Sequence, residues 1–140
     1  MSEHLKYSDV TQKIIGCAMT VHNKMRSGYL EAVYQKCLAI ELKKAGLRFM
    51  QEVEMPIYYD GISVGKRRVD FMAEEKIIVE IKALSDLTDQ YLAQGLKYLE
   101  THQLETGLLI NFGAKSLQFK RQINQQKLSA KNNPVNPTHP

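Results

Sequence analysis

The chain has 140 residues, of which 44% are hydrophobic and 24% charged, an ordinary globular composition. That length suits one domain around a single core, and no run approaches the roughly 18 to 20 apolar residues that a membrane-spanning helix needs. The formal net charge of +4 is spread along the chain, so it permits contact with phosphates without demanding it; residues 1–9 lack the apolar core of a signal peptide, which makes a cytoplasmic location the default.

Ser8 or Asp9 is placed to cap a first helix, in which Val10, Ile14, Cys17, Ala18, Val21 and Met25 recur at helical spacing. Arg26-Ser27-Gly28 interrupts that pattern. A second helix is expected over residues 29–45, with Leu30, Val33, Tyr34, Cys37, Leu38 and Leu42 as its apolar stripe and Gly46 as its stop. Cys17 and Cys37 fall among apolar neighbours on these helices, with no metal-ligand spacing, and read as small hydrophobes.

The period then changes. Phe49, Val53, Met55, Ile57 and Tyr59 alternate with more polar residues, as in a strand, and Pro56 favours a sheet edge or a bulge because it cannot donate a ladder bond. Asp60-Gly61 is a hairpin turn signal. Further strands are expected over residues 63–72 and 77–84. A third helix over residues 87–101, capped by Ser85 or Asp86, leads to a buried strand at Leu108-Leu109-Ile110 and a last strand over 117–123. The third helix is long enough to cross over and set the Leu108 strand parallel to the Ile77 strand. Residues 129–140 have almost no apolar content and are expected to be a disordered tail after a single domain at 1–128.

Chemistry concentrates in the segment Ile77-Ile78-Val79-Glu80-Ile81-Lys82-Ala83. Its strand is apolar on both faces except for Glu80 and Lys82, which are two residues apart and share a face. Two opposite charges there need partners, a ligand or solvent. Asp70 interrupts another apolar strand, Val69-Asp70-Phe71-Met72. A sheet-edge ion pair explains the same charges on spacing alone.

Asp70 followed by Glu80-Ile81-Lys82 resembles the PD-(D/E)XK signature of a large nuclease superfamily, with Val69 where the signature usually has proline. Gly28-Tyr29-Leu30-Glu31-Ala32-Val33-Tyr34 is similar to the motif that names the bacterial GxxExxY proteins. Ile14-Ile15-Gly16, Val21-His22, Leu38-Ala39-Ile40-Glu41-Leu42 and Leu108-Leu109-Ile110-Asn111-Phe112-Gly113 extend that likeness over residues 7–122.

The resemblance implies an α/β fold with a PD-(D/E)XK restriction-endonuclease-like core, in which helices flank a mixed central sheet. That sheet combines an antiparallel meander with a parallel strand after the crossover helix. The resemblance also implies a metal-dependent nuclease that hydrolyses nucleic-acid phosphodiester bonds. Asp70, Glu80, the carbonyl of Ile81 and Glu31 would hold Mg2+ or Mn2+, and Lys82 would serve the attacking water. Gln94 and Tyr98, one turn apart on the third helix, match a spacing seen after the lysine in the recombination-nuclease branch, and would position phosphate or Lys82. Lys66, Arg67, Arg68, Lys120 and Arg121 are candidate backbone contacts or solvated surface. The partners implied are nucleic acid, with neither membrane nor small-molecule organic cofactor. A catalytically silent interaction module and a non-cutting nucleic-acid binder are the competing classes. For Glu31 alone, the helix dipole is a sufficient reason for an acid in a first turn; His22, beside an apolar stripe, suits either the core or the pocket.

Overall fold

The strands anticipated between Phe49 and Ile123 assemble into one five-stranded sheet in the computed structural model, which describes residues 3–127. Two helices precede the sheet, α1 (Glu3–Met25) and α2 (Glu31–Lys44). Strands β1 (Phe49–Tyr59), β2 (Ile62–Ala73) and β3 (Ile77–Lys82) form an antiparallel meander. Helix α3 (Asp89–Thr101) crosses over, and β4 (Thr106–Asn111) returns parallel to β3. Strand β5 (Gln118–Ile123) pairs antiparallel with β4, which gives the order β1-β2-β3-β4-β5. This is the expected mixed α/β sheet. The tail at 129–140 lies outside the described residues, and no helix among the described residues is long and apolar enough to cross a membrane.

The alternation of β3 explains its central place. Ile77, Val79 and Ile81 join Ile14, Ala18, Val21, Tyr34, Leu38 and Leu42 in a core under α1 and α2. Ile78 points the other way and packs with Leu99 of α3, Val69 and Met72. Burying side chains on both faces of the strand stabilises the sheet by roughly 1.5–3 kcal/mol for each large aliphatic group. Gly107 lets α3 approach β4, since a Cβ there would meet Leu99 Cδ2 at 3.1 Å.

Element ends depart from the sequence expectation where tertiary contacts decide them. Helix α1 is already running at Glu3, before Ser8 and Asp9, because Tyr7 is buried and extends the apolar stripe by a turn. Ser8 is not a cap; its hydroxyl accepts from Arg121 Nη1 at 2.6 Å and its carbonyl accepts from Thr11 Oγ1 at 2.9 Å. Strand β3 stops at Lys82 because Asn111 takes both Leu84 backbone groups, at 2.8 Å to the amide and 3.0 Å to the carbonyl. Helix α3 starts after Thr88, not at Ser85 or Asp86: Gln118 accepts from the Leu87 amide and donates to Asp86 Oδ1, holding this stretch against β5. Cys17 and Cys37 are free thiols packed against the α1–α2 core, as expected of small hydrophobes.

The meander carries two features that shape the site. At the first hairpin Asp60 and Gly61 both have positive φ, 51° and 75°, and β1 shifts register between Ile57 and Tyr58, next to Pro56 on the sheet edge. The second connection is the three-residue loop Glu74 to Lys76 between paired Ala73 and Ile77, so continuing the register past Phe71↔Val79 sets Asp70 opposite Glu80. Across the sheet from Asp70, Glu52 has φ 55°. On one side of that level Phe49 and Phe71 face α1 and α2; on the other, Val53, Met55 and Val69 face α3. Strands β1 and β2 therefore exchange faces at Glu52 and Asp70.

Candidate active site

Glu80 and Lys82 alternate with Val79 and Ile81, which fill the α1–α2 core, so both acidic and basic groups project toward α3. The β2–β3 ladder ends at Phe71↔Val79. Just beyond it, Asp70 Oδ2 accepts a hydrogen bond of 2.7 Å from the Ile81 amide, replacing a backbone carbonyl of β2. The N–H and C=O of one strand residue point to the same side, so the Ile81 carbonyl is also directed toward Asp70 rather than toward β4.

The face exchange brings a cation to this place. Arg67 follows Val69 onto the α3 face, and its Nη2 donates to Glu80 Oε1 at 2.6 Å, with both side chains only 14% exposed. The guanidinium carbon lies 3.6 Å from the centroid of the Tyr98 ring, a cation–π contact. Lys82 Nζ lies 5.1 Å from the ring centroid of Tyr91. Tyr91, Gln94 and Tyr98 form one stripe of α3, so this helix lays two aromatic rings over the two cations.

Burial dominates the electrostatics. It raises the Glu80 carboxyl from its ordinary 4.5 to about 7; Arg67 opposes that rise and the neighbouring Asp70 adds to it. Burial also raises Asp70, against the pull of the Ile81 amide, Lys82, Arg67 and Arg68. His102, just past α3, is held below the usual imidazole range by burial and then by Arg67. Two carboxylates that resist ionisation and face two cations are arranged to gain from a further positive charge.

The sequence candidates are not all gathered here. Asp70, Glu80, Lys82 and Tyr98 are. Gln94 lies on the same stripe but is exposed, and its side chain makes no hydrogen bond or ion pair among the described residues. Glu31, expected among the metal ligands, is exposed, and among the described residues no group of three or more His, Cys, Asp or Glu converges as a metal cluster. The helix of Glu31 packs the buried stripe Tyr34, Leu38 and Leu42 against the Val79 and Ile81 side of β3, and Gln35, one turn on from Glu31, donates to Gln51 at 3.4 Å.

Within the Gly28–Tyr34 motif it is Tyr34 that has the clear structural task. Fully buried, it stacks on Phe112 at 4.8 Å, donates its hydroxyl proton to the Arg26 carbonyl and accepts from the Tyr29 amide at 3.2 Å. His22 is buried and pairs with the Ala114 carbonyl at 3.0 Å, a core role rather than a place in the pocket. Lys66 and Arg68 form exposed pairs with Glu54 and Glu52, at 2.7 and 3.8 Å. Sequence reasoning had Arg67 only as a candidate backbone contact or solvated surface, not as the partner of Glu80, and it missed Tyr91 and His102. Tyr91 was legible, because it precedes Gln94 by three and Tyr98 by seven residues.

Residues 8–124 match the family profile of the PD-(D/E)XK nuclease superfamily. No curated protein matches the sequence. Among solved structures the chain is similar to the protein of "Crystal structure of SSO0001", with a TM-score of 0.52 and 19% identity over 78% of this chain. It spans 59% of that protein's length, and the likeness is one of fold. The helices, the meander and the parallel return agree with the profile match, and the chain belongs to the PD-(D/E)XK nuclease superfamily.

Proposed function

We propose that the chain is a metal-dependent nuclease acting on nucleic-acid phosphodiester bonds in the cytoplasm, and that it is one of the GxxExxY group within its superfamily. The observation that carries this reading is the pair of half-buried carboxylates, Asp70 and Glu80, at the level where β2 and β3 part, with Lys82 on the same face.

These donors fit a hard divalent cation. Magnesium takes oxygen ligands, commonly one or two carboxylates together with waters and substrate phosphates. Asp70, Glu80 and the Ile81 carbonyl are such a set, and burial, which raises the proton affinity of both carboxyls, favours a cation beside them. The proposed direct ligands are Asp70, Glu80 and Ile81, and Glu31, exposed in the first turn of α2, would serve a coordinated water or a second ion. A bound Mg2+ or Mn2+ supplies a nucleophilic water and Lewis-acid stabilisation of charge on the phosphate.

The chain's own groups do the rest. The Ile81 amide fixes the Asp70 carboxylate in one orientation. Lys82 orients the attacking water, and its charge opposes the negative charge that builds on the phosphate oxygens. Tyr91 steadies Lys82 through its ring face, and Tyr98 does the same for Arg67. Gln94, on the open part of the same stripe, is free to donate to a phosphate oxygen.

A second reading, a nuclease-fold module without activity, is favoured by one observation: Arg67 already satisfies one oxygen of Glu80. A nuclease screen on single- and double-stranded DNA and RNA with Mg2+ and Mn2+ decides between the two. Metal-dependent products from the wild type, absent in Lys82→Ala, support the enzyme. Salt-sensitive binding without products is the mark of a non-cutting binder, and neither binding nor products marks the silent module.

A further inference from the structure

Arg67 is not accounted for by the carboxylate–lysine site. Its Nη2 holds Glu80 Oε1 at 2.6 Å, while its Nη1 is buried without any hydrogen-bond partner. A buried guanidinium donor left unmatched is costly, which marks this arrangement as incomplete. The guanidinium also has a second partner, since it stacks 3.6 Å from the Tyr98 ring centroid. The formal charges close the case: Asp70 and Glu80 balance Arg67 and Lys82, so a divalent cation entering beside the carboxylates leaves an excess of two positive charges. The oxygen that Arg67 holds is also one that a cation needs.

We infer that Arg67 is a positioning residue that acts as an internal counter-cation, occupying Glu80 until a divalent cation takes its place. The inference rests on the nuclease reading of the same site and names how that site is regulated. On exchange, Arg67 stays on Tyr98 with its fork unpaired, and a phosphate offers the bidentate acceptor that suits it. Metal and phosphate then bind cooperatively, because each corrects the charge imbalance the other creates.

The test is calorimetric titration of Mn2+ into the metal-free wild type and into Arg67→Gln. Removing the competing charge-assisted bond should tighten Mn2+ binding by about tenfold. Tighter binding by the variant, or binding by the variant alone, supports the inference. Equal or weaker binding by Arg67→Gln, with the wild type binding, overturns the inference and leaves the nuclease reading intact. Binding by neither overturns both. A measurement on the wild type guards against a variant that fails to fold. The Arg67 guanidinium nitrogen–proton signals, assigned by their loss in Arg67→Lys, should be slow in solvent exchange without metal and become fast at saturating Mg2+. Signals that Mg2+ leaves unchanged overturn the inference.

Discussion

Replacing Glu80 by Gln tests the electrostatics of the site in the metal-free protein. The folded state raises this carboxyl from 4.5 to about 7. Between those values the folded protein holds a proton that the unfolded chain has lost, so the wild type loses stability as pH rises through the window. Near pH 4 Glu80 is neutral in both states and the substitution should change little. At pH 8 it is ionised in both, and its burial then disfavours the folded state by about 3 kcal/mol at most. Gln carries no charge and its amide oxygen still accepts from Arg67 Nη2, which bonds Glu80 at 2.6 Å in the wild type. Glu80→Gln should therefore match the wild type near pH 4 and exceed it by about 1–3 kcal/mol at pH 8. Urea unfolding at both pH values in the presence of a chelator gives the comparison. The opposing picture is a self-sufficient buried ion pair, whose breakage typically costs about 3–5 kcal/mol. A variant less stable than the wild type at pH 8, or a difference independent of pH, would refute the reasoning.

Three further substitutions test how the site is held in place. Tyr34→Phe should cost about 1–2 kcal/mol in chemical denaturation, because it strands the Arg26 carbonyl and the Tyr29 amide, yet leave cleavage by the folded fraction intact. Asn111→Ala removes the side chain that bonds Leu84 N and O, Gly113 N and Gln118, and should lower stability by about 2–4 kcal/mol with a matching drop in Tm. Gly113→Ala sets a Cβ 2.4 Å from backbone atoms of Ala83 and Leu84, so the end of β3 must shift; about 1–3 kcal/mol of destabilisation and reduced activity are expected from melts and turnover assays.

Local rules made the framework legible. Alternation placed β1 to β3, and Asp60-Gly61 marked the first hairpin; the three-residue loop from Glu74 to Lys76, which brings Asp70 and Glu80 level, was read from the folded sheet. The length of the crossover helix was enough to expect β4 parallel to β3. What alternation cannot foresee is a strand that changes face. Counting back from Asp70 by twos puts Arg68 on its side and Arg67 on the other. The exchange at Glu52 and Asp70 reverses this and brings Arg67 to Glu80. Nothing in the sequence announces it, since Glu rarely takes a positive φ and Glu52 does so only within the finished sheet. Glu31 was harder to place for a related reason: its motif is local to α2, whereas its relation to Asp70 and Glu80 depends on how that helix packs on the sheet, where it stands exposed. Helix α1 began earlier than its capping signals because burial of Tyr7 outweighed them.

The most direct test of the metal site is a titration of Mg2+ and Mn2+ into the wild type, Asp70→Asn and Glu31→Gln, followed by melting temperature and by cleavage of labelled nucleic acid. A cation that binds only the folded state raises Tm as its concentration passes Kd. The expected result is a metal-dependent rise in Tm and metal-dependent cleavage for the wild type, both abolished in Asp70→Asn and largely kept in Glu31→Gln. A wild type whose Tm and cleavage ignore both metals, or an Asp70→Asn protein that responds as the wild type does, contradicts the assignment of Asp70 and Glu80 as its ligands.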